Sequence, residues 1–228
     1  MTSSTAAESD ARPRTVLFDL DGTLSDSAPG ILSALRHAFV VNGLTPLDAL
    51  TERAILGPPF YESLPPLIGG RDKLPAVIAA YRERYAAGAM FDMGVYDGMI
   101  DVLTALRGSG AQLAVATSKP EHFAVPIVER LGLAEFFQTV GGDELDGSLG
   151  TKALVIGKVL QRLGSPDPRE VIMVGDRSHD VHGAREHGIA CLGAGWGYGL
   201  PGELEHAGAA VVCARPGDLV TALGRAAA

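Results

Sequence analysis

The sequence predicts an α/β fold in which a parallel sheet core carries helices on both faces and a second, helical domain is inserted near the start. Two observations lead to this prediction. Short β-rich runs alternate with longer helical patterns along most of the 228-residue chain, which is typical of a parallel sheet with crossover helices. The exception is a gap between the first two β-rich runs, which is too long for one crossover and is helical throughout.

The predicted core alternates strands with helices. Its strands are Thr15 to Leu20, Gln112 to Thr117, Phe137 to Gly141, Val171 to Gly175, Ile189 to Gly193 and Ala210 to Cys213. Its helices are Gly98 to Arg107, Glu121 to Leu131, Thr151 to Leu163, Val181 to His187 and Pro216 to Leu223. Because parallel strands need a crossover between them, this order predicts a Rossmann-like core.

The insert is predicted to form a small helical cap domain. Its helices are Pro29 to Val41, Leu47 to Leu56, Phe60 to Leu67 and Leu74 to Ala87. The domain boundaries that follow are a disordered polar tail over 1–13, a core made of 14–27 and 95–228, and a cap over 28–94.

Composition and charge narrow the classes of function. The formal net charge of -8 argues against a nucleic-acid polymer partner, because binding a phosphate backbone needs clustered Lys and Arg. No apolar run is long enough to span a bilayer and the first residues lack an apolar signal core, so no membrane partner is expected. Cys191 and Cys213 lie in apolar runs, as reduced buried thiols do, which predicts a cytoplasmic protein. The sequence leaves open whether this protein is a monomer or a dimer.

Polar side chains follow three of the predicted strands. They are Asp19 and Asp21 after the first strand, Thr117 and Ser118 after the second, and Asp176 and Asp180 after the fourth. Since parallel sheets bind ligands at the carboxyl ends of their strands, these side chains are expected to converge. A cluster of Asp oxygens without Cys or His suits a hard cation, Mg²⁺ in particular, and a cation would offset the repulsion between two neighbouring carboxylates.

Four motifs in this order resemble those of the haloacid-dehalogenase-like superfamily of phosphotransferases. They are DLDGT after the first strand, TSK after the second, a lysine that opens the helix after the third, and GDRSHD after the fourth. The resemblance covers nearly the whole chain, and the helical insert is similar to the small cap of that family. Within the superfamily, FDLDGTLSDS and GDRSHDV are most similar to the branch of phosphoglycolate phosphatases and 5'-nucleotidases.

The resemblance implies a Mg²⁺-dependent phosphatase that acts on a small phosphorylated metabolite through an aspartyl phosphate. Asp19 would be the nucleophile, and Asp21 would protonate the leaving oxygen and then activate water. Thr117 and the backbone N–H of Ser118 would hold phosphoryl oxygens, and Lys152 would balance their charge.

The family resemblance also implies a ligand set for the metal. Mg²⁺ would be bound by the Asp19 carboxylate, the backbone carbonyl of Asp21 and Asp176. Asp180 would hold the metal waters or contact the ion directly.

Substrate contacts outside these roles are predicted at Gly22, Phe60 and Arg53. The Gly57-Pro58-Pro59 turn of the cap can present fixed side chains to the pocket, and Phe60 stands where related hexose-phosphate mutases have an arginine, which disfavours a mutase. Phe60 and Tyr61 offer a stacking face for a nucleoside or another aromatic leaving group. Phosphoglycolate would instead need a nearby cation such as Arg53.

A second interpretation stays open for three motif residues, Lys152, Thr117 and Ser118. Lys119 is a rival of Lys152 for the charge-balancing role, and the choice of Lys152 rests on its family position. Thr117 and Ser118 could cap the helix that starts near Pro120, since capping and phosphate binding use the same N–H groups.

Other polar groups near the motifs receive plainer interpretations. His179, His182 and His187 lack a Cys partner or an HExxH pattern and are interpreted as an exposed helix face. The run GAGWGYG fits no dinucleotide-binding register and is interpreted as a loop near the rim of the site. Arg177 stands where many members of the family have Ser, which leaves the contacts of that loop open.

The joints between core and cap are predicted at Asp26 to Pro29 and Met93 to Asp97. Pro29 and Gly94 flank the insert there and can define or absorb a hinge, so the cap is expected to close over bound phosphate.

Three functions are weighed. The first is the phosphatase, and the second is a phosphotransferase that passes the phosphoryl group to a sugar or to a protein side chain. The third is a non-catalytic binding module with the same fold, against which the intact Asp19, Asp21, Lys152 and Asp176 argue.

Overall fold

Six parallel strands form the central sheet of the computed structural model, which describes residues 15–225. The strands are β1 (Thr15–Phe18), β2 (Ser25–Asp26), β3 (Gly94–Val95), β4 (Gln112–Pro120), β5 (Thr139–Asp143), β6 (Val171–Gly175), β7 (Ala190–Ala194) and β8 (Val211–Cys213). The six predicted strands are β1 and β4 to β8, which confirms the α/β fold class. The tail predicted over residues 1–13 lies outside the described residues.

Helices flank this sheet and fill the insert. The helices of the insert are α1 (Ala28–Val41), α2 (Ala49–Ile55), α3 (Phe60–Ser63), α4 (Pro65–Ile68) and α5 (Leu74–Ala86). Those that follow are α6 (Met99–Gly108), α7 (Glu121–Arg130), α8 (Lys152–Arg162), α9 (Ser178–Glu186), α10 (Glu203–Ala207) and α11 (Asp218–Arg225).

The strand order β5-β4-β1-β6-β7-β8 places β1 in the middle of the sheet. Thr15 pairs with Gln112 of β4 on one side and with Val171 of β6 on the other. The chain runs outward from β1 to β4 and β5, then returns past β1 to β6, so the strand order reverses beside β1. A ligand site is expected at this reversal, at the carboxyl ends of β1, β4 and β6.

The insert is built around two long helices, α1 and α5, that pack against each other. Ile31, Leu35 and Phe39 lie four residues apart on α1 and are buried, and Tyr81 and Tyr85 have the same spacing on α5. This spacing places each set on one face of its helix, so the two apolar faces form the centre of the insert.

A short antiparallel ladder joins the insert to the core. Ser25 of β2 pairs with Val95 of β3, and Asp26 pairs with Gly94. The joints between core and cap are predicted at these residues, but the pairing of β2 with β3 is not. The two chain crossings are therefore linked by backbone hydrogen bonds.

Two parts of the secondary-structure prediction are wrong. The helix predicted from Phe60 to Leu67 is broken into α3 and α4, because Pro65 and Pro66 have no N–H with which to continue the ladder of α3. The short helix α10 is absent from the prediction. It lies between Gly202 and Gly208, both in left-handed conformation, and is too short to produce a clear helical period.

The two cysteines agree with the sequence analysis. Cys191 and Cys213 are both buried and both free. Over residues 15–225, the structure contains no helix that is long and apolar enough to cross a bilayer.

Candidate active site

The turn after β1 brings two carboxylates to the centre of the sheet edge. The backbone N–H of Asp19 donates to the Val174 carbonyl of β6 at 2.9 Å, which extends the ladder one residue beyond β1. The turn then folds back, since the N–H groups of Leu24 and Ser25 both donate to the Leu20 carbonyl at 3.0 Å. Asp19 and Asp21 both end up buried, 5% and 8% exposed.

Gly22 makes this turn possible. Its φ is +81°, a conformation that a residue with a side chain rarely adopts. A Cβ at this position would overlap the Asp176 carboxylate and lie 2.8 Å from Tyr198 Cδ2. The structure therefore gives Gly22 a packing role beside Asp176, and its predicted contact with substrate stays a prediction.

Three buried carboxylates meet at this edge of the sheet, from Asp19, Asp176 and Asp180. Each offers an oxygen, and these oxygens lie within 4.8 Å of one another. Asp180 is positioned by the start of α9, where its Oδ2 accepts from the backbone N–H of Arg177 at 3.1 Å. The Asp21 side chain is not part of this group, and the predicted role of its backbone carbonyl as a metal ligand stays a prediction.

Lys152 is the cation of this cluster. It is the first residue of α8, and its Nζ lies 2.7 Å from Asp19 Oδ1 and 2.7 Å from Asp180 Oδ1. The ammonium also donates to the Ala116 carbonyl at 2.9 Å. Three carboxylates and one ammonium leave two negative charges, 3 − 1 = 2, when all are ionised. Buried oxygen ligands with this excess charge fit a divalent hard cation.

The pKa values of the cluster have the direction expected of crowded buried acids. The pKa of Asp19 is raised to about 6, mainly by burial. The charges of Asp180 and Asp21 add to this rise, and Lys152 opposes it. Burial, followed by the charges of Asp180 and Asp19, raises the pKa of Asp176 well above its usual range. The described residues therefore supply too little positive charge to keep the pKa values of these carboxyls in their usual range.

The end of β4 supplies the hydroxyl residues. Thr117 is buried, and its Oγ1 accepts from the backbone N–H of Lys119 at 3.2 Å. The interpretation of Thr117 and Ser118 as helix caps is wrong, because α7 has Pro120 at its N-cap and no side chain caps it. Their proposed contact with phosphate stays a prediction.

Lys119 is a site residue that the sequence analysis considers only as a rival of Lys152. Its Nζ lies 2.6 Å from Asp21 Oδ2 and donates to the Tyr85 hydroxyl at 2.8 Å. It also lies 5.0 Å from the centre of the Tyr85 ring. Each lysine thus accompanies a different aspartate, Lys152 with Asp19 and Lys119 with Asp21. The stretch TSKP points to Lys119, but nothing in the sequence indicates that Tyr85 of the cap is its partner.

The loop after β7 also reaches the site. It contains most of the run GAGWGYG, which is predicted to lie near the rim of the site. The backbone N–H of Tyr198 donates to Asp176 Oδ2 at 2.7 Å, and Trp196 Nε1 donates to the Thr23 carbonyl at 3.1 Å. The Tyr198 hydroxyl accepts from the backbone N–H groups of Ser27 and Ala28 at 2.7 and 2.9 Å. This loop therefore holds both a predicted metal ligand and the start of α1.

The two predicted cap residues lie in different places. Phe60 lines a cavity between cap and core, where its ring meets that of Tyr81 edge-on at 4.9 Å. Arg53 is exposed and donates to the carbonyls of Gly197 and Gly199 at 3.2 and 3.3 Å. Arg53 does not line the Phe60 cavity, so the structure provides no support for it as the cation of a phosphoglycolate site.

Arg177 links the core to the cap. It is 6% exposed, and its guanidinium donates to Glu203 Oε1 at 2.9 Å and to the cap carbonyls of Ala54 and Leu56. Gly57 is required beside it, since a Cβ there would lie 2.7 Å from Arg177 Cγ. Arg177 stands where many members of the family have Ser, and these contacts show that it joins the loop after β6 to the cap.

The interpretation of the three histidines as one exposed face is wrong in part. His182 is exposed, but His179 is half-buried and its Nδ1 has no hydrogen-bond partner. His187 Nε2 lies 2.7 Å from the Ala153 carbonyl, which fixes the ring between α8 and α9. Over residues 15–225, the only His, Cys, Asp or Glu group that could hold a metal is the Asp19, Asp176 and Asp180 cluster.

Comparison with known proteins finds a matching family and several similar proteins. A family model described as "Haloacid dehalogenase-like hydrolase" matches residues 16–194. The chain is 41% identical over 200 residues to the tyrosine-protein kinase PtkA of Mycobacterium tuberculosis, covering 88% of this chain and 68% of that one. It is 35% identical over 190 residues to a 5'-nucleotidase of Pseudomonas aeruginosa, covering 83% and 86%.

A solved structure gives the same result for the fold. The crystal structure of "a predicted phosphatase from Clostridium acetobutylicum" superposes with a TM-score of 0.88 at 34% identity, covering 93% of this chain and 98% of that one. The match extends over both the sheet core and the insert, since it includes nearly all of either chain.

Proposed function

Because the chain belongs to the haloacid dehalogenase-like hydrolase family, we propose that it releases phosphate from small phosphate monoesters through an aspartyl phosphate on Asp19, with Mg²⁺ as cofactor. The enzyme class, phosphoric monoester hydrolase, follows from the family and from the phosphatases that the chain resembles. The alternative of a non-catalytic binding module is therefore set aside.

The observation that carries the proposal is the buried cluster of Asp19, Asp176 and Asp180 with a single ammonium between them. Buried acids are expensive unless paired, and this group keeps two negative charges beyond those that Lys152 offsets. Its carboxylates would hold Mg²⁺, which would supply neutralisation of the phosphoryl charge.

The side chains are assigned the roles that the family resemblance implies. The Asp19 carboxylate attacks phosphorus, the ester P–O bond breaks, and its electron pair goes to the leaving oxygen, which takes a proton from Asp21. A water molecule then gives its proton back to Asp21 and attacks the same phosphorus, which frees phosphate and restores the Asp19 carboxylate. Asp21 Oδ1 is buried and has no hydrogen-bond partner, so it is available to the leaving oxygen.

The remaining groups hold the phosphoryl oxygens and the geometry of the two acids. Thr117 and Ser118 at the end of β4 contact these oxygens, and Lys152 offsets their charge. Lys119 fixes the Asp21 carboxylate through their 2.6 Å ion pair. The division into a core of residues 14–27 and 95–228 and a cap of 28–94 is part of this proposal, as is a cytoplasmic location for a chain with two buried free thiols.

The test is release of phosphate from p-nitrophenyl phosphate. We expect turnover with Mg²⁺, loss of turnover with EDTA and recovery when Mg²⁺ is restored. Ca²⁺ should support it poorly, because its looser coordination shell misplaces the attacking group. Full turnover after exhaustive chelation would contradict the cofactor assignment. The absence of turnover with every metal and with a panel of phosphoglycolate, sugar phosphates, nucleoside monophosphates and phosphotyrosine would contradict the function.

A second candidate is transfer of a phosphoryl group to a tyrosine of a protein. It is favoured by the 41% identity to a protein named as a tyrosine-protein kinase. The two functions differ in whether label from [γ-³²P]ATP appears on a protein tyrosine, because the proposed phosphatase takes its phosphoryl group from a monoester. Label on Asp19 is an acyl phosphate, which hydroxylamine removes, whereas label on tyrosine resists hydroxylamine. Hydroxylamine-stable label in the wild-type chain would favour the transferase.

A further inference from the structure

A cavity of about 100 Å³ lies between core and cap, and Asp21 is one of the residues that line it. Its walls include five aromatic side chains, four from the cap and one from α7. They are Phe60, Tyr61, Tyr81, Tyr85 and Phe123.

Most of these rings form one connected series. Phe60 meets Tyr81 edge-on at 4.9 Å, Tyr81 stacks on Tyr85 at 5.2 Å, and Tyr85 meets Phe123 edge-on at 5.4 Å. Tyr61 packs beside Gly147 of the core, where a Cβ would lie 2.6 Å from its ring. Rings held by neighbouring rings keep their positions, so the cavity has rigid apolar walls.

The charged groups of the cavity do not suit an anionic leaving group. Lys119 is paired with Asp21, and Arg82 donates to the Tyr61 hydroxyl and to the Leu145 carbonyl. Asp143 and Glu144 line the same cavity, so acids outnumber the bases there. A carboxylate or a second phosphate on the leaving group would therefore meet more acids than bases, and both bases already donate to groups of the protein.

The volume of the cavity limits which aromatic leaving groups it can hold. An apolar cavity of roughly 150 Å³ holds one benzene ring. This cavity, at about 100 Å³, is smaller, so it takes at most a single ring and has no room for a base with its ribose. The ring must also lie close to the ester oxygen, because Asp21, the acid proposed to protonate this oxygen, lines the cavity.

We propose that the preferred substrate is a phosphate monoester whose leaving group carries one uncharged aromatic ring next to the ester oxygen, with the ring held among Phe60, Tyr81 and Phe123. This inference rests on the proposed function for its chemistry and on the cavity for its specificity. Nucleoside monophosphates and phosphoglycolate are poorer substrates on this basis.

A matched pair of substrates isolates the contribution of the aromatic face. Benzyl phosphate and cyclohexylmethyl phosphate both release a primary alcohol, and their rings have similar volumes. We expect kcat/KM to favour benzyl phosphate about tenfold, since each aromatic pair contributes a few-fold beyond area burial. Equal kcat/KM for the two esters, or higher kcat/KM for phosphoglycolate or a nucleoside monophosphate, would overturn the proposal.

Variants locate that preference in the cavity. Phe60→Leu keeps an apolar side chain but removes one aromatic face, and it should reduce the benzyl preference to about threefold or less. Phe91→Leu is the matched control, because Phe91 is an exposed aromatic residue of the insert that does not line the cavity. An unchanged preference in Phe60→Leu would overturn the placement of the ring.

Binding gives a result that does not depend on turnover. Benzylphosphonate and cyclohexylmethylphosphonate cannot release an alcohol, and their binding to the wild-type chain with Mg²⁺ can be measured by calorimetry. Tighter binding of benzylphosphonate, with the preference reduced in Phe60→Leu, supports the inference even if no ester is hydrolysed. Equal binding contradicts it even if p-nitrophenyl phosphate is hydrolysed, so failure of the specificity and failure of the function are distinguishable.

Discussion

At the scale of the residue, the proposed nucleophile is a source of instability. Asp19 has a pKa of about 6, mainly because burial disfavours its charge. A raised pKa means that the folded state binds the proton more tightly than the unfolded state. The carboxyl therefore contributes less stability as the pH rises from its ordinary value of 3.8 to about 6, and it is destabilising at neutral pH.

Asp19→Asn should lower kcat about 1,000-fold or more. At the same time it should raise the free energy of unfolding of the metal-free chain at pH 7. The amide cannot attack phosphorus, and it removes a buried charge that costs about 2 to 3 kcal/mol. Urea unfolding in EDTA measures the second effect, which should largely disappear at pH 4.

Retention of a tenth of wild-type turnover in Asp19→Asn would contradict the nucleophile assignment. A variant that is less stable than wild type at both pH values would show that the Lys152 ion pair outweighs the cost of burial.

At the scale of the element, the short helix α10 anchors the loop that carries Arg177. Glu203, its first residue, accepts from the Arg177 guanidinium at 2.9 Å and from the backbone N–H groups of Ser178 and Leu200 at 2.8 and 2.9 Å. Burial raises the pKa of Glu203, but these donors outweigh it and hold the pKa at about 2. Because this pKa is lowered, the stability that Glu203 contributes is present above its ordinary value of 4.5 and is lost as the pH falls toward 2.

Glu203→Gln should lower the free energy of unfolding at pH 7 by roughly 1 to 2 kcal/mol, allowing for solvent screening of a partly exposed group. The difference from wild type should shrink as the pH falls from 4.5 to 3, and denaturant unfolding at each pH measures it. Glu205→Gln on the same helix is the control, since Glu205 is exposed. A difference that is constant over this pH range would show that the carboxylate charge is not the cause.

At the scale of the whole molecule, three arginines hold the cap against the core. Arg177 reaches from the core to the Ala54 and Leu56 carbonyls, and Arg53 reaches from the cap to the Gly197 and Gly199 carbonyls. Arg82 of α5 donates to the Leu145 carbonyl. The paired strands β2 and β3 are the covalent connection between the two parts. A small change in the backbone of these strands would move the cap as a unit.

Arg177→Met should favour an open arrangement of the cap, because it removes the hydrogen bonds to two cap carbonyls and keeps most of the side-chain volume. Small-angle scattering should show a larger radius of gyration, and kcat/KM should fall roughly tenfold as closure becomes less favourable. Arg36→Met is the control, since Arg36 pairs with Glu52 inside the cap. An unchanged radius together with unchanged kcat/KM would contradict a latching role for Arg177.

Much of the fold and part of the site could be predicted because they depend on local order along the chain. The six strands are apolar runs between helical patterns, and all six appear in one sheet. Asp19, Asp176 and Lys152 follow such runs or open the next helix, and parallel strands bring their carboxyl ends together in any sheet of this kind. The sequence by itself therefore determined the fold class and the meeting point of these side chains.

Only the tertiary structure decided which residues of the cap and of the distant loops complete the site. Lys119 contacts Tyr85 of the cap, Tyr198 contacts Asp176, and Arg177 contacts Ala54 and Leu56. These partners are separated by long stretches of chain, and no periodicity or motif records which side chain a loop will place beside another. The depth of burial that raises the pKa of Asp19 has the same origin, because desolvation depends on everything packed around the carboxyl and not on its neighbours in sequence.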